Sequence, residues 1–138
     1  MPQGCFPRGT ETEELTSIDS QTADTTRLTR SVDLAGLSGK RIPADVVECG
    51  AGMPIVFLHG LVGLNEHWGK VVDRLSSRVR CVTLEVPLLG LRGVDCSLSA
   101  VSAMTMQFLD REIGEPAVLV GNSFGGHVAL RVTHERPE

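Results

Sequence analysis

"VLVGNSFGGHVALRV", residues 118–132, joins an apolar run to an amphipathic stretch through one serine set among glycines. Ala117 to Val120 are small or branched apolar residues, the pattern of a short buried strand. From Phe124 to about His134 the period changes, and Phe124, Val128 and Val132 fall on one helical stripe. Between them Gly121-Asn122-Ser123-Phe124-Gly125 fits a G-x-S-x-G turn from strand to helix. Such a turn is tight and lifts the serine hydroxyl out of the sheet. A side chain at Gly121 or Gly125 would crowd it, and Gly126 is expected to let the helix pack closely behind. The helix also turns its positive end toward Ser123, which favours negative charge developing beside it. A serine in a glycine-rich turn can be a plain helix cap. The strand before it and the helix after it favour a nucleophile, which then needs a base to take its proton.

Working outward, "PIVFL", residues 54–58, is a second all-apolar strand, ending at His59-Gly60. The "HGLVG" turn at 59–63 is suited to exposing a backbone N–H. The amides of Leu61 and Phe124 are therefore the candidate pair of donors for an oxyanion. His59 stands directly before the turn glycine, a position for fixing the loop by hydrogen bonds rather than for acting as base. Trp68, Val71, Val72 and Leu75 have helical spacing, with Asn65 as cap and an end near Ser77. "VRCVTLEV", 79–86, is a further strand closed by Pro87 and Gly90. Glu85 at its end either bonds neighbouring loop amides or faces solvent. Ser97 or Ser99 caps a helix whose inward face carries Val101, Met104, Thr105, Phe108 and Leu109, and Gly114 followed by Pro116 stops it.

Upstream, residues 31–36 suggest an edge strand and 41–49 a strand interrupted near Pro43. Residues 1–30 are rich in Thr, Ser and charge and carry isolated apolar side chains, the composition of a flexible leader. The rest, 31–138, reads as one domain. Strands alternating with helices from residue 54 onward imply an α/β fold, a mostly parallel sheet with helices on both faces. Reactive groups in such sheets gather at the carboxyl ends of the strands, where His59, Gly60 and Ser123 all fall.

Composition narrows the function. The 138 residues are 41% hydrophobic and 22% charged with a net charge of −4, which recommends neither nucleic acid nor an anionic membrane as partner. Cys5, Cys49, Cys81 and Cys96 have no CxxC spacing and read as scattered small residues, and the two in or beside strands favour buried thiols over a disulfide framework. No secretory signal or membrane-length apolar run is present, so a cytoplasmic protein is expected. Metal-ligand spacing, a Walker loop and a dinucleotide fingerprint are all missing, so no cofactor or metal is implied. His127 and His134 share a helix with Ser123 and read as surface histidines.

From about Asp45 to Glu138 these residues resemble the amino-terminal half of the α/β-hydrolase family. The resemblance implies that His59, Gly60 and Leu61 form the oxyanion loop, that Ser123 is the nucleophile and that Phe124 gives the second amide. The family's Asp-x-Pro-Gly-x-Gly stretch reads here Glu85-Val86-Pro87-Leu88-Leu89-Gly90, with the acid changed and a glycine replaced by Leu88. Asn122 is similar to the elbow residue of hydrolases that cleave carbon–carbon bonds in ring-opened aromatic metabolites. In this family the acid and the histidine follow the nucleophile, and fifteen residues follow Ser123 here. The expectation is a chain truncated after the nucleophile helix, inactive alone, belonging to a serine hydrolase of ester or similar acyl small-molecule substrates. Two alternatives are a carbon–carbon bond hydrolase and a non-catalytic fragment. A sheet ending at the nucleophile strand would offer its open edge to a second copy or a complementing chain.

Overall fold

In the computed structural model, which describes residues 26–138, the apolar run at 54–58 is a strand with a neighbour on each side. The strands are β1 (Leu28–Ala35), β2 (Arg41–Cys49), β3 (Pro54–Leu58), β4 (Arg80–Glu85) and β5 (Val118–Gly121). The helices are α1 (Gly69–Leu75), α2 (Leu98–Phe108) and α3 (Phe124–Glu135). Sheet order is β1-β2-β4-β3-β5. β4, β3 and β5 are parallel, with Leu58 beside both Leu84 and Gly121. β1 and β2 join antiparallel on the β4 side, so the sheet is mixed.

Strand alternation divides the core. Val46, Val56, Leu58, Val82 and Leu84 face one way and are covered by α2 and α3 through Met104, Phe108, Val128 and Val132. Cys49, Phe57 and Cys81 face the other way, under Val72 of α1. Trp68 lies on Phe57 there, with ring centroids 5.1 Å apart and planes tilted by 45°. Helices thus cover both faces, as the pattern implies.

Several local expectations change. β1 begins at Leu28, so residues 28–30 of the stretch read as leader are strand, and residues 1–25 lie outside the described residues. Pro43 does not interrupt β2. It faces Asp33 of β1, whereas pairing with β4 starts at Asp45, so β2 has one neighbour at the proline, where a missing N–H is tolerated. Asn65 opens a 3₁₀ turn (Asn65–Trp68) and does not cap it. Its side chain donates to the Asp45 carbonyl at 2.9 Å instead. Val71 is exposed rather than inward. β5 is half-exposed because it ends the sheet order, and Val118 keeps 44% of its surface in solvent. Ser97 is the α2 cap, its hydroxyl accepting from Ala100 N–H at 3.1 Å. A wide turn (Leu109–Ile113) and Gly114 at φ 67 end that segment where expected. Among the described residues no helix is long and apolar enough to cross a membrane.

Candidate active site

The carboxyl ends of β3 and β5 meet at Ser123. Asn122 N–H donates to the Leu58 carbonyl at 3.0 Å, extending the β3–β5 pairing by one bond, and the chain then turns into α3. Ser123 makes that turn at φ 53, ψ −117, and it is the one non-glycine described residue with positive φ. This backbone costs about 1–3 kcal/mol for a residue with a Cβ, and it persists where the surroundings enforce it. The enforcement is visible at two glycines. A Cβ on Gly121 would come within 2.5 Å of Gly126 N and closer still to the Gly125 carbonyl. One on Gly125 would lie 2.6 Å from the His59 oxygen and nearer to that of Leu58. Gly126 differs from its expectation: a Cβ there would stand 3.5 Å from Gly121 O, an ordinary contact, so close packing does not require that glycine.

The β3 loop closes on the serine from the other side. A Cβ on Gly60 would be 3.3 Å from Asn122 O and 3.3 Å from Ser123 Cβ, so the Gly60 backbone is pressed against the elbow. His59 is buried and bridges two strands' ends. Val86 N–H donates to its Nε2 at 3.1 Å, which places the ring proton on Nδ1, 2.7 Å from the Gly60 carbonyl. Both ring nitrogens are thereby engaged, Nδ1 within the loop and Nε2 by the residue that follows β4. Gly63 N–H returns to Gly60 O at 2.9 Å and tightens the turn. The same loop is held at its far end by Glu85, whose carboxylate accepts from Asn65 N–H at 2.6 Å. That bond resolves the two options for Glu85. The sequence gives no distance signal for a contact twenty residues apart.

The two candidate oxyanion amides are unengaged. Among the described residues, neither Leu61 N–H nor Phe124 N–H has a hydrogen-bond acceptor, and Phe124 is the first residue of α3, where such donors are expected. Ser123 itself is exposed, and none of the described residues is hydrogen-bonded to its Oγ. His127 lies one turn on, but its Nδ1 is 3.3 Å from the Ser123 carbonyl oxygen rather than bonded to the hydroxyl. His67 Nδ1 accepts from Leu64 N–H, and His134 is near the opposite end of α3. Asn122 is exposed, and its carbonyl accepts from Gly125 N–H at 2.9 Å.

Leu88 explains the altered stretch after β4. It begins a short 3₁₀ turn (Leu88–Gly90) and is buried beside Leu91, so an apolar side chain fills core where a glycine would leave a gap. Leu61, 54% exposed, and Val62 present apolar surface on the loop beside Ser123. A cleft of about 410 Å³ lined by Gly121, Ser123, Gly126, His127 and Leu130 opens at the elbow, and a separate one of about 380 Å³, lined by Met106, Leu109, Leu119, Val132 and Arg136, lies at the far ends of α2 and α3.

Comparison with known proteins bears on the family. The family model described as Alpha/beta hydrolase family matches residues 55–137. Pimeloyl-[acyl-carrier protein] methyl ester esterase of Nitrosomonas europaea is 37% identical over 89 residues, covering 64% of this chain and 34% of that protein. An alpha/beta hydrolase from the metagenome of Mar Chica lagoon sediments superposes with a TM-score of 0.64 at 33% identity, over 69% of this chain and 44% of its own. Epoxide hydrolase VrEH1 of Vigna radiata does so with a TM-score of 0.69 at 25% identity, over 81% and 37%. The chain thus spans about a third of the esterase and less than half of each solved chain. The match runs from β3 through the elbow to the end of α3, well over half of the residues, and the chain belongs to the alpha/beta hydrolase family.

Proposed function

We propose that this chain carries the nucleophile of a serine hydrolase acting on carboxylic esters or similar acyl substrates. The observation that carries the reading is the strained Ser123 backbone at a strand–helix junction, with two unengaged amides beside an exposed hydroxyl. Ser123 Oγ attacks the substrate carbonyl as its proton passes to a base. Leu61 N–H and Phe124 N–H receive the oxyanion, each such donor being worth about 3–4 kcal/mol in a well-studied serine protease. Collapse expels the alcohol, and water releases the acyl group from the serine. Exposed Leu61 and Val62 suit an apolar substrate group beside the reacting carbonyl. None of the described imidazoles is hydrogen-bonded to Ser123 Oγ, so in this reading the base and its orienting acid come from polypeptide outside this chain. The test is release of p-nitrophenol from p-nitrophenyl esters by the chain with imidazole supplied as base, compared with Ser123→Ala. A serine-dependent acylation is expected, and equal release from both chains would overturn the proposal.

A second reading has its own observation. Among the described residues, β5 has β3 on one side and no strand on the other, with Val118 and Leu130 exposed. A non-catalytic chain could pair there with another chain. Assembly without any reactivity at Ser123 would select this reading.

A further inference from the structure

Cys49 and Cys81 stand directly opposite each other in the antiparallel pairing of β2 with β4. Directly paired residues of an antiparallel sheet point to the same face and have Cα atoms about 4.5–5.5 Å apart, inside the roughly 4.4–6.8 Å range that a disulfide spans. Both side chains are nearly fully buried, and both pack in the same cluster with Phe57 and Val72 beneath α1. Their proximity also has an electrostatic trace, since burial first and the neighbouring Cys49 second push the Cys81 thiol above its ordinary value. From register, shared face and shared cluster we infer that Cys49 and Cys81 form a latent redox site, two thiols placed to close a cross-strand disulfide when a low-molecular-weight disulfide oxidises them.

The position fits slow, reversible use. The pair lies at the amino end of β4, the opposite end of the sheet from Ser123, so a bridge there leaves the elbow untouched. Cys49 is the last residue of β2, so a reagent reaches the buried pair by opening that strand end. Opening must break the Arg80 Nε to Glu48 Oε1 ion pair, 2.7 Å long, which clasps the same two strands. The chemistry balances without further reagents. One cysteine thiolate attacks the small disulfide, breaking its S–S bond and releasing one small thiolate. The second cysteine thiolate then attacks the protein sulfur of the mixed disulfide and releases the other. Two electrons pass from the cysteines to the reagent, and the two protein protons end on the released thiols. The closed loop runs from Cys49 to Cys81 and contains β3, the His59–Gly63 turn and α1, tying the oxyanion-side loop into one covalent ring.

The test uses the full chain with Cys5→Ser and Cys96→Ser, so that the two remaining cysteines report alone. Folded protein is incubated with oxidised glutathione, quenched with acid, alkylated in denaturant and digested with trypsin. The expected product is a disulfide-linked pair of peptides, 42–70 and 81–92, with the denaturation midpoint of the intact chain shifted upward and restored by reductant. Cys49→Ala and Cys81→Ala in that background are expected to give no linked pair. The inference is overturned if both cysteines stay fully alkylatable in the folded chain while the same chain in denaturant oxidises. It is equally overturned if oxidation stops at glutathione adducts with no internal link.

Discussion

Adding one methyl group at each of two adjacent glycines should change stability in opposite directions. In Gly125→Ala the new Cβ would lie 2.6 Å from the His59 oxygen and nearer to that of Leu58, and these are backbone atoms of β3 that no rotamer change can remove. Overpacking of this kind costs roughly 1–3 kcal/mol, and the upper end applies against backbone; about 1 kcal/mol returns as helix propensity, leaving a net loss of about 2 kcal/mol. In Gly126→Ala the nearest atom is Gly121 O at 3.5 Å, so no overlap arises and the helix gains about 0.5–1 kcal/mol. Urea unfolding followed by circular dichroism, at equal slope, reads both signs on one scale. Gly125→Ala should also slow modification of Ser123, because α3 must move away from the Gly60 loop to make room. If Gly126→Ala destabilises as much as Gly125→Ala, the close approach of α3 to β3 is not as described and the account of the elbow fails.

Three other outcomes follow from single contacts. His59→Ala leaves Val86 N–H buried without its acceptor, a loss of about 1–3 kcal/mol in urea unfolding, and loosens the Gly60 turn; an unchanged midpoint would contradict the bridge. Ser97→Ala removes the α2 cap and should cost about 1 kcal/mol, whereas Ser99→Ala should cost much less because Ser99 is no cap. Asp95 is buried and accepts from both the hydroxyl and the amide of Ser38, and these bonds, the hydroxyl's first, hold its carboxyl below the usual aspartate value. Its contribution is therefore present above the ordinary aspartate pKa of about 3.9 and lost as pH falls through the lower folded value. Asp95→Asn should flatten the acid limb of the unfolding midpoint between pH 6 and 2.5, approximately the range over which carboxylates titrate, and an identical limb would refute the linkage.

Much of this architecture could be read from short-range signals. The apolar run at 54–58, a serine cap at 97 or 99, the stop at Gly114 and the change of period at Ser123 each depend on a few adjacent residues; the structure places the cap at Ser97 and the others where those residues imply. What was not legible depends on order in space. Nothing in residues 41–49 says that this strand runs antiparallel between β1 and β4 with residues 41–44 extending past β4, and that overhang is what lets Pro43 remain in a strand. Ala117 to Val120 has the composition of a buried strand, yet β5 is half-exposed because its position at the end of the sheet, not its sequence, sets its burial. Asn65 has the right residue type for a cap, but a long-range acceptor, the Asp45 carbonyl, wins its side chain. At the site, the glycine pattern foretold crowding at Gly121 and Gly125 through backbone sterics alone. The two-sided bonding of His59 required knowing that Val86 lies across from it.

The most direct measurement is the site and extent of fluorophosphonate labelling on the purified chain, read by intact mass and peptide mapping, with and without added imidazole. An exogenous base supplies a proton acceptor, which none of the described residues offers Ser123 Oγ by a hydrogen bond, without altering the elbow. The account predicts one label, at Ser123, whose rate rises with imidazole and which Ser123→Ala abolishes. Labelling scattered over other hydroxyls, or unchanged in Ser123→Ala, would contradict the assignment of Ser123 as the nucleophile.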